Sequence, residues 1–420
     1  MNPIYDMAIG AYSCAVGLAS PFNAKARLMR RGHAAVWRTL REKLEPGARY
    51  VWVHASSLGE FEQGRPVIER IRSRRPGLKV ILTFFSPSGY EVRKGYQGAD
   101  VVCYLPFDFA LSARRFVDMV SPEAAIFVKY EIWRNYLSEL RRRGIPAYLV
   151  SAHFRPEQRF FRKGYGWYGR WLRSFRHIFV QDSGSVGLLK GIGITDVTVT
   201  GDTRFDRVAD VAAQAKVIPE LEAFCGRKGS QGHDSVVMVA GSSWPRDEEV
   251  YAPWLAARRE VKAIVAPHEF DAARLARLKE LWPGETVLLS ELKERPELAG
   301  KARIVVIDCF GLLSSAYAYG DIAYVGGGFG VGIHNLNEAA VYGIPVMFGP
   351  NHARFMEAND LKTLGGGIAL DSRESFGRAA DRLLHDSVER EKRGRWAGEY
   401  IEENKGASDK VFSAIFGDAR

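Results

Sequence analysis

The chain has 420 residues, 46% hydrophobic and 26% charged, which excludes a disordered or fibrous protein and favours two domains over one. Its net charge of +10 is uneven: residues 1–200 carry +15 and residues 201–420 carry −5. Cys14, Cys103, Cys225 and Cys309 are far apart with no C-x-x-C pair, which excludes a disulfide scaffold and a zinc ribbon and points to a reducing compartment.

The first element expected is the N-terminal run. Met7–Ala19 is uncharged and mostly apolar, and Ile4–Phe22 extends it across Asp6 and Pro21. That is short for a span, which needs about 20 apolar residues. Asp6, with no Lys or Arg before the run, argues against a secretory signal. Lys25, Arg27, Arg30 and Arg31 follow, so the rest of the chain stays cytoplasmic if the run enters a bilayer. Residues 1–22 are expected to form a membrane-anchoring or interfacial helix. The alternative is a first helix packed on the N-terminal domain.

Strands and helices then alternate. Tyr50–His54, Lys79–Phe84, Asp100–Tyr104, Ala124–Val128, Ala147–Val150 and His177–Val180 read as strands, with Arg-rich helical segments between them. A second series comprises Val236–Ala240, Val261–Val265, Glu285–Leu289, Ile304–Ile307, Ile322–Val325 and Pro345–Phe348. This rhythm is that of parallel sheets wound with helices on both faces. The expectation is an α/β chain of two doubly wound domains, residues 23–210 and 211–420, with a cleft between them. In such sheets ligands bind at the carboxyl ends of the strands.

Four segments at those ends carry chemistry-bearing residues. The first is His54-Ala55-Ser56-Ser57-Leu58-Gly59-Glu60, a strand, a small-residue turn and a helix-opening acid. Gly59 lets a substrate approach the backbone, and Glu60 stands where a general base would be needed. A first-turn glutamate complementing the helix dipole explains Glu60 equally simply. Second, Lys129-Tyr130-Glu131-Ile132-Trp133 follows the strand Ala124–Val128, and Glu131 could orient substrate or serve as a cap. Third, Gly241-Ser242-Ser243-Trp244-Pro245 leads into a helix whose first N–H groups suit a phosphate or carboxylate, although Ser242 and Ser243 could simply be caps.

The fourth and strongest is the loop from Gly326 to Glu338, with five glycines before Asn335-Leu336-Asn337-Glu338. It lacks the Lys-Ser/Thr of a P-loop and the following acid of a dinucleotide fingerprint. Its glycines leave room for a nucleotide-sugar, and Glu338 could accept ribose hydroxyls. No His/Cys/Asp cluster has metal-ligand spacing, so neither a catalytic metal nor another cofactor is expected.

These motifs, in this order, resemble the Kdo (3-deoxy-D-manno-octulosonic acid) transferases of lipopolysaccharide synthesis. The anchors are His54–Glu60, Thr83–Gly89, Glu131-Ile132-Trp133, Val199–Asp206, Ala240–Ser242, Val325–Glu338 and Gly343–Pro350. The resemblance implies a two-domain GT-B glycosyltransferase on the cytoplasmic side of the inner membrane. It implies inverting, metal-independent transfer of Kdo from CMP-Kdo to a tetra-acylated, bis-phosphorylated lipid A precursor, and no nucleic-acid partner. It puts the general base on Glu60, beside Ser56 and Gly59. It puts CMP contacts on Ala266-Pro267-His268, Phe310-Gly311-Leu312 and Asn335–Glu338.

Three departures stand out. Pro267 replaces the family's arginine in P-R-H, Arg204 replaces a lysine, and Ile333 replaces a glycine. Arg204 and Arg246 are the candidates for the missing phosphate-side charge. The competing readings are a GT-B enzyme or epimerase using a UDP-sugar, and a non-catalytic basic protein that binds membrane or nucleic acid.

Overall fold

The computed structural model describes residues 3–162, 166–226 and 235–417. They form two compact units, one of residues 1–207 with 405–420 and one of residues 208–404.

The first unit holds a seven-stranded parallel sheet: β1 (Arg49–His54), β2 (Leu78–Phe84), β3 (Val101–Tyr104), β4 (Ala124–Val128), β5 (Ala147–Ala152), β6 (His177–Val180) and β7 (Val197–Val199). The spatial order is β3-β2-β1-β4-β5-β6-β7. Runs such as Val51-Trp52-Val53 and Ala125-Ile126-Phe127 are fully buried, as a parallel sheet covered on both faces demands. Strand order reverses between β1 and β4, and a crevice forms beyond the carboxyl ends at such a point. Glu60 and Glu131 follow these two strands, Glu60 in the first turn of a helix and Glu131 in a loop.

The second unit repeats the plan with β8 (Val237–Ser243), β9 (Lys262–Pro267), β10 (Thr286–Leu288), β11 (Ile304–Val306), β12 (Ile322–Val325), β13 (Val346–Phe348) and β14 (Gly367–Ala369). Its order is β10-β11-β9-β8-β12-β13-β14, so the reversal lies between β8 and β12. The Ser242-Ser243 turn and the glycine-rich loop follow those two strands.

Four differences from the sequence reading have physical causes. The strands β7 and β14 were not expected: each is a three-residue sheet edge, too short for an alternating pattern. The expected strand Glu285–Leu289 shrinks to Thr286–Leu288, and Leu289 opens a helix. Strand β8 continues through Gly241 to Ser243, because Ser242 takes a left-handed φ of 51° and forms a bulge that keeps Ser243 paired with Pro267 of β9. Finally, the last helix, Ala407–Phe416, belongs to the first unit rather than the second. Its Val411 and Phe412 enter the core of Val51, Phe61 and Ile68, and Asp206 accepts the backbone N–H groups of Gly406 and Ser408 at 2.5 and 2.7 Å.

Two helices precede the first sheet, α1 (Pro3–Ala19) and α2 (Ala24–Lys43). Asn23 caps α2, accepting the Ala26 N–H at 3.1 Å. Helix α1 lies on the domain: the Tyr5 hydroxyl donates to buried Asp108 at 2.5 Å, and the Tyr12 ring stacks near Phe85. Its other side leaves Ile4, Met7 and Leu18 exposed, and Phe22 follows at 91% exposure. Among the described residues, no helix is long and apolar enough to cross a membrane.

Candidate active site

In the first unit, Glu60 occupies the first turn of the helix Leu58–Arg74, which opens directly after β1. Its Oε2 accepts the Ser57 N–H at 3.0 Å, so the capping role is real. The carboxyl group is also partly buried. Burial first, and then the nearby Glu131 carboxylate, push its pKa above the ordinary glutamate value; the Ser57 N–H, His54 and the Ser56 N–H oppose them. A simple dipole-complementing glutamate would sit in water and feel none of this. An added Cβ at Gly59 would meet nothing within 4 Å, so that glycine leaves open space beside Glu60.

Glu131 is held by a chain of side chains running across the sheet. The Trp52 indole can only donate, and it donates to Thr83 Oγ1 at 2.8 Å. Thr83 Oγ1 can then give its own proton to His54 Nδ1, also at 2.8 Å. A carboxylate can only accept, so the proton between His54 and Glu131 is assigned to Nε2, 3.1 Å from Oε2. The Trp133 indole donates to the same oxygen at 2.7 Å. Glu131 therefore receives two N–H donors, while Glu60 is partly buried and repelled by it. Pairs of acids whose surroundings differ in this way divide roles, one remaining charged and the other exchanging protons.

In the second unit, buried Asp247 ties the Ser243 turn to the glycine-rich loop. Its Oδ2 accepts the N–H groups of Trp244 and Gly327, both at 2.9 Å, and its Oδ1 accepts the Tyr324 hydroxyl at 2.7 Å. Trp244, His268 and His334 form a stack, with the two imidazoles 4.3 Å apart. The Trp244 indole donates to His334 Nε2 at 3.0 Å. Burial, and secondarily His268, lower the His334 pKa to about 4, so this ring is neutral at pH 7. Glu338 accepts the Ser314 hydroxyl at 2.8 Å and the Asn335 amide at 3.1 Å. Asn337 is buried, with neither atom of its amide group hydrogen-bonded.

A cavity of about 330 Å³ opens beside this stack, lined by Ser243, Trp244, Pro245, Glu269, Phe270, Asp271 and Arg274. Arg274 is mostly buried and paired with Glu248, which also accepts the Ser243 hydroxyl at 3.0 Å. The Phe270 ring stacks on exposed Phe310, with centroids 4.7 Å apart.

Comparison with known proteins narrows the family. The family model described as 3-deoxy-D-manno-octulosonic-acid transferase (kdotransferase) matches residues 26–207. The 3-deoxy-D-manno-octulosonic acid transferase of Bordetella pertussis is 27% identical over 398 residues, covering 88% of this chain and 87% of its own. That of Haemophilus influenzae is 24% identical, covering 88% and 87%. Over most of its length the chain is similar to the Kdo transferases.

The fold is shared more widely. Neisseria meningitidis UDP-GlcNAc 2-epimerase superposes with a TM-score of 0.62 at 14% identity, covering 88% of this chain and all of that one. Acinetobacter baumannii MurG gives 0.57 at 11% identity, covering 87% and 99%. These likenesses establish a GT-B type fold, and the curated relatives support an enzyme of the glycosyltransferase class.

The structure draws the expected residues into two groups. Ser56, Gly59, Glu60 and Glu131 gather at the β1/β4 edge of the first unit. Ser242, Ser243, His268 and Asn335–Glu338 gather at the β8/β12 edge of the second. Ala266 and Pro267 are buried in β9, so they offer backbone rather than side chains. Gly311 has φ 83°, turning the chain between Phe310 and Leu312. Arg204 lies in the first unit, its Nε 2.8 Å from Asp202. In the second unit Arg246 is exposed, and Arg274, which the sequence reading overlooked, is the cation in the cavity wall. Arg274 lies seven positions after Pro267, so spacing gave no signal for it.

The glycine-rich loop also differs from expectation. A Cβ on Gly326 would collide with Ser242 O, one on Gly327 with Gly332 O, and one on Gly328 with Gly349 Cα, each closer than 3.0 Å. These three glycines make room for the protein's own backbone rather than for a ligand.

Proposed function

We propose that this chain transfers Kdo from CMP-Kdo to a tetra-acylated, bis-phosphorylated lipid A precursor, with inversion and without a metal, at the cytoplasmic face of the inner membrane. The carrying observation is the pair Glu60 and Glu131, two carboxyl groups in unlike surroundings at one sheet edge. Glu60 takes the proton of the acceptor hydroxyl, and the raised pKa brings its basicity closer to the working pH. The oxygen attacks the anomeric carbon of Kdo and CMP departs. Glu131, fixed by His54 and Trp133, stands beside Glu60 and orients the acceptor. In the second unit, Glu338 meets the ribose and the Trp244–His268–His334 stack lines the nucleotide site, with Arg274 as the phosphate-side cation.

The test is direct. The protein is incubated with CMP-Kdo and the lipid A precursor, and the lipids are weighed by mass spectrometry. A mass gain of one or more Kdo residues is expected. No gain with CMP-Kdo, or a gain with a UDP-sugar instead, sinks the assignment.

Glu338→Gln should weaken CMP binding about tenfold or more, the worth of one charge-assisted hydrogen bond. Calorimetric titration of CMP checks this, and an unchanged affinity removes Glu338 from the nucleotide site.

The membrane reading is supported by the exposed Ile4, Met7, Leu18 and Phe22, next to Lys25, Arg27, Arg30 and Arg31. Changing the four apolar residues to Ser should leave a folded protein that sediments less with anionic vesicles. Changing the four basic residues should remove about 1 kcal/mol each of attraction, and only at low salt. Unchanged sedimentation of both variants argues for a first helix that merely packs on its domain.

A further inference from the structure

A second polar cluster lies one strand beyond Glu131, and the reaction above does not use it. Val128 of β4 pairs with Val150 of β5, and Glu131 and His153 each follow three residues later. The Tyr130 hydroxyl donates to the His153 carbonyl, which ties the two loops together. Asp182 follows β6, the next strand in the sheet.

The hydrogen bonds fix the His153 ring. Asp182 Oδ1 accepts the Ser185 N–H at 2.8 Å, and Oδ2 accepts the Ser185 hydroxyl at 2.9 Å. The Ser185 hydroxyl oxygen is itself an acceptor for the Phe154 N–H at 2.8 Å, which leaves its proton for Asp182. Burial works to raise the Asp182 pKa, but these donors and His153 hold it below the ordinary aspartate value. Asp182 is thus a carboxylate that can only accept, and the His153 contact at 2.6 Å puts a proton on Nδ1. His153 Nε2 then points away from Asp182. The side chain is 26% exposed, and among the described residues no protein group bonds this nitrogen.

An orienting carboxylate behind an imidazole, with the far nitrogen open, is how proteins present histidine to a ligand. The surrounding charge selects the ligand. Arg155 lies two residues on and acts on the Tyr130 hydroxyl. Residues 153–176 carry six arginines against a single acid, Glu157. An anionic oxygen at Nε2 would itself favour the imidazolium, which then donates to it.

We propose that His153, locked by Asp182 and assisted by Arg155, is a binding residue for an anionic substrate oxygen, a phosphate or a carboxylate, beside the Glu60–Glu131 pair. The assignment deepens the transfer reaction proposed above and rests on it for the source of the anion, either an acceptor phosphate or the carboxylate of the transferred sugar.

Two measurements test it. In the first, the full chain labelled with ¹⁵N-histidine is titrated with inorganic phosphate, and the His153 ring signal is identified by its loss in His153→Gln. A saturable shift of that signal is expected, and an unmoved signal overturns the proposal. This arm needs no turnover, so it stands or falls apart from the identity of the reaction. In the second, His153→Gln should raise one KM about tenfold or more, the worth of a hydrogen bond to a charged group. A rise for the bis-phosphorylated acceptor that vanishes with a dephosphorylated acceptor names the acceptor phosphate. A rise in the CMP-Kdo KM names the sugar carboxylate. A purely structural His153–Asp182 pair would lower stability and leave both KM values in place, which overturns the proposal.

Discussion

Glu60→Gln should lower turnover by about 10²–10⁴-fold, the usual contribution of a general base, with CMP-Kdo affinity nearly unchanged. Glutamine keeps the size of the side chain and can still accept the Ser57 N–H, so the helix cap survives while the proton acceptor is lost. The parent enzyme's pH profile should carry the mark of the site. Activity needs the ionised form of Glu60, so the rate should fall as pH drops through a pKa lying above the ordinary glutamate value. Glu131→Gln removes the repulsive part of that shift and leaves the burial part, so the acid limb should move to lower pH by part of the displacement. Its effect on turnover should be smaller than that of Glu60→Gln. Stability runs the other way. A carboxyl group with a raised folded pKa costs stability once pH exceeds its unfolded pKa, and the cost grows until the folded pKa is passed. Glu60→Gln should therefore melt higher than the parent at pH 7 to 8, with the gain gone below about pH 4. A Glu60→Gln enzyme that turns over near the parent rate would hand the base role to Glu131.

Both sheets were legible because parallel strands buried on two faces are runs of Val, Ile, Ala and Phe, and such runs need no partner to be recognised. The carboxyl-end rule then placed Glu60, Glu131 and the glycine-rich loop at the strand ends where the structure has them. What stayed hidden depends on contacts far apart in sequence. His54 and Glu131 are 77 residues apart, and only the pairing of β1 with β4 brings them to 3.1 Å. Arg274 enters the cavity wall through Glu248, 26 residues upstream, and neither residue sits in a motif. The return of Ala407–Phe416 to the first unit rests on Val411 and Phe412 entering its core and on Asp206 accepting the Gly406 and Ser408 N–H groups, long-range contacts that local pattern cannot express. The glycines of the loop after β12 show a subtler limit. Sequence shows that a Cβ is unwelcome there, but not whether a ligand or a neighbouring strand stands in its way.

Asp247 is the residue whose removal should do the most structural harm. It is fully buried and satisfies three donors at once: the N–H groups of Trp244 and Gly327 and the Tyr324 hydroxyl. The first belongs to the turn after β8 and the others to β12 and its loop, so one carboxylate joins the two sides of the strand-order reversal. Asp247→Ala orphans all three, and at about 1 kcal/mol or more for each unsatisfied buried group the loss should reach about 3 kcal/mol. For a unit of this size that is a fall of roughly 6–12 °C in melting temperature. Asp247→Asn separates charge from shape. Its amide oxygen can still take the Tyr324 proton, but its NH₂ group then faces two N–H donors, so it should lose stability too, though less than the alanine variant. Both should also weaken CMP binding, because Gly327 and Trp244 anchor the loop and the aromatic stack that line the proposed nucleotide site. Scanning calorimetry with parallel CMP titrations reads both effects. An Asp247→Asn protein that melts with the parent and binds CMP as tightly would show that neither the charge nor the second acceptor oxygen holds the loop, and the anchoring would then fall to the backbone contacts of Gly326 and Gly328 with Ser242 and Gly349.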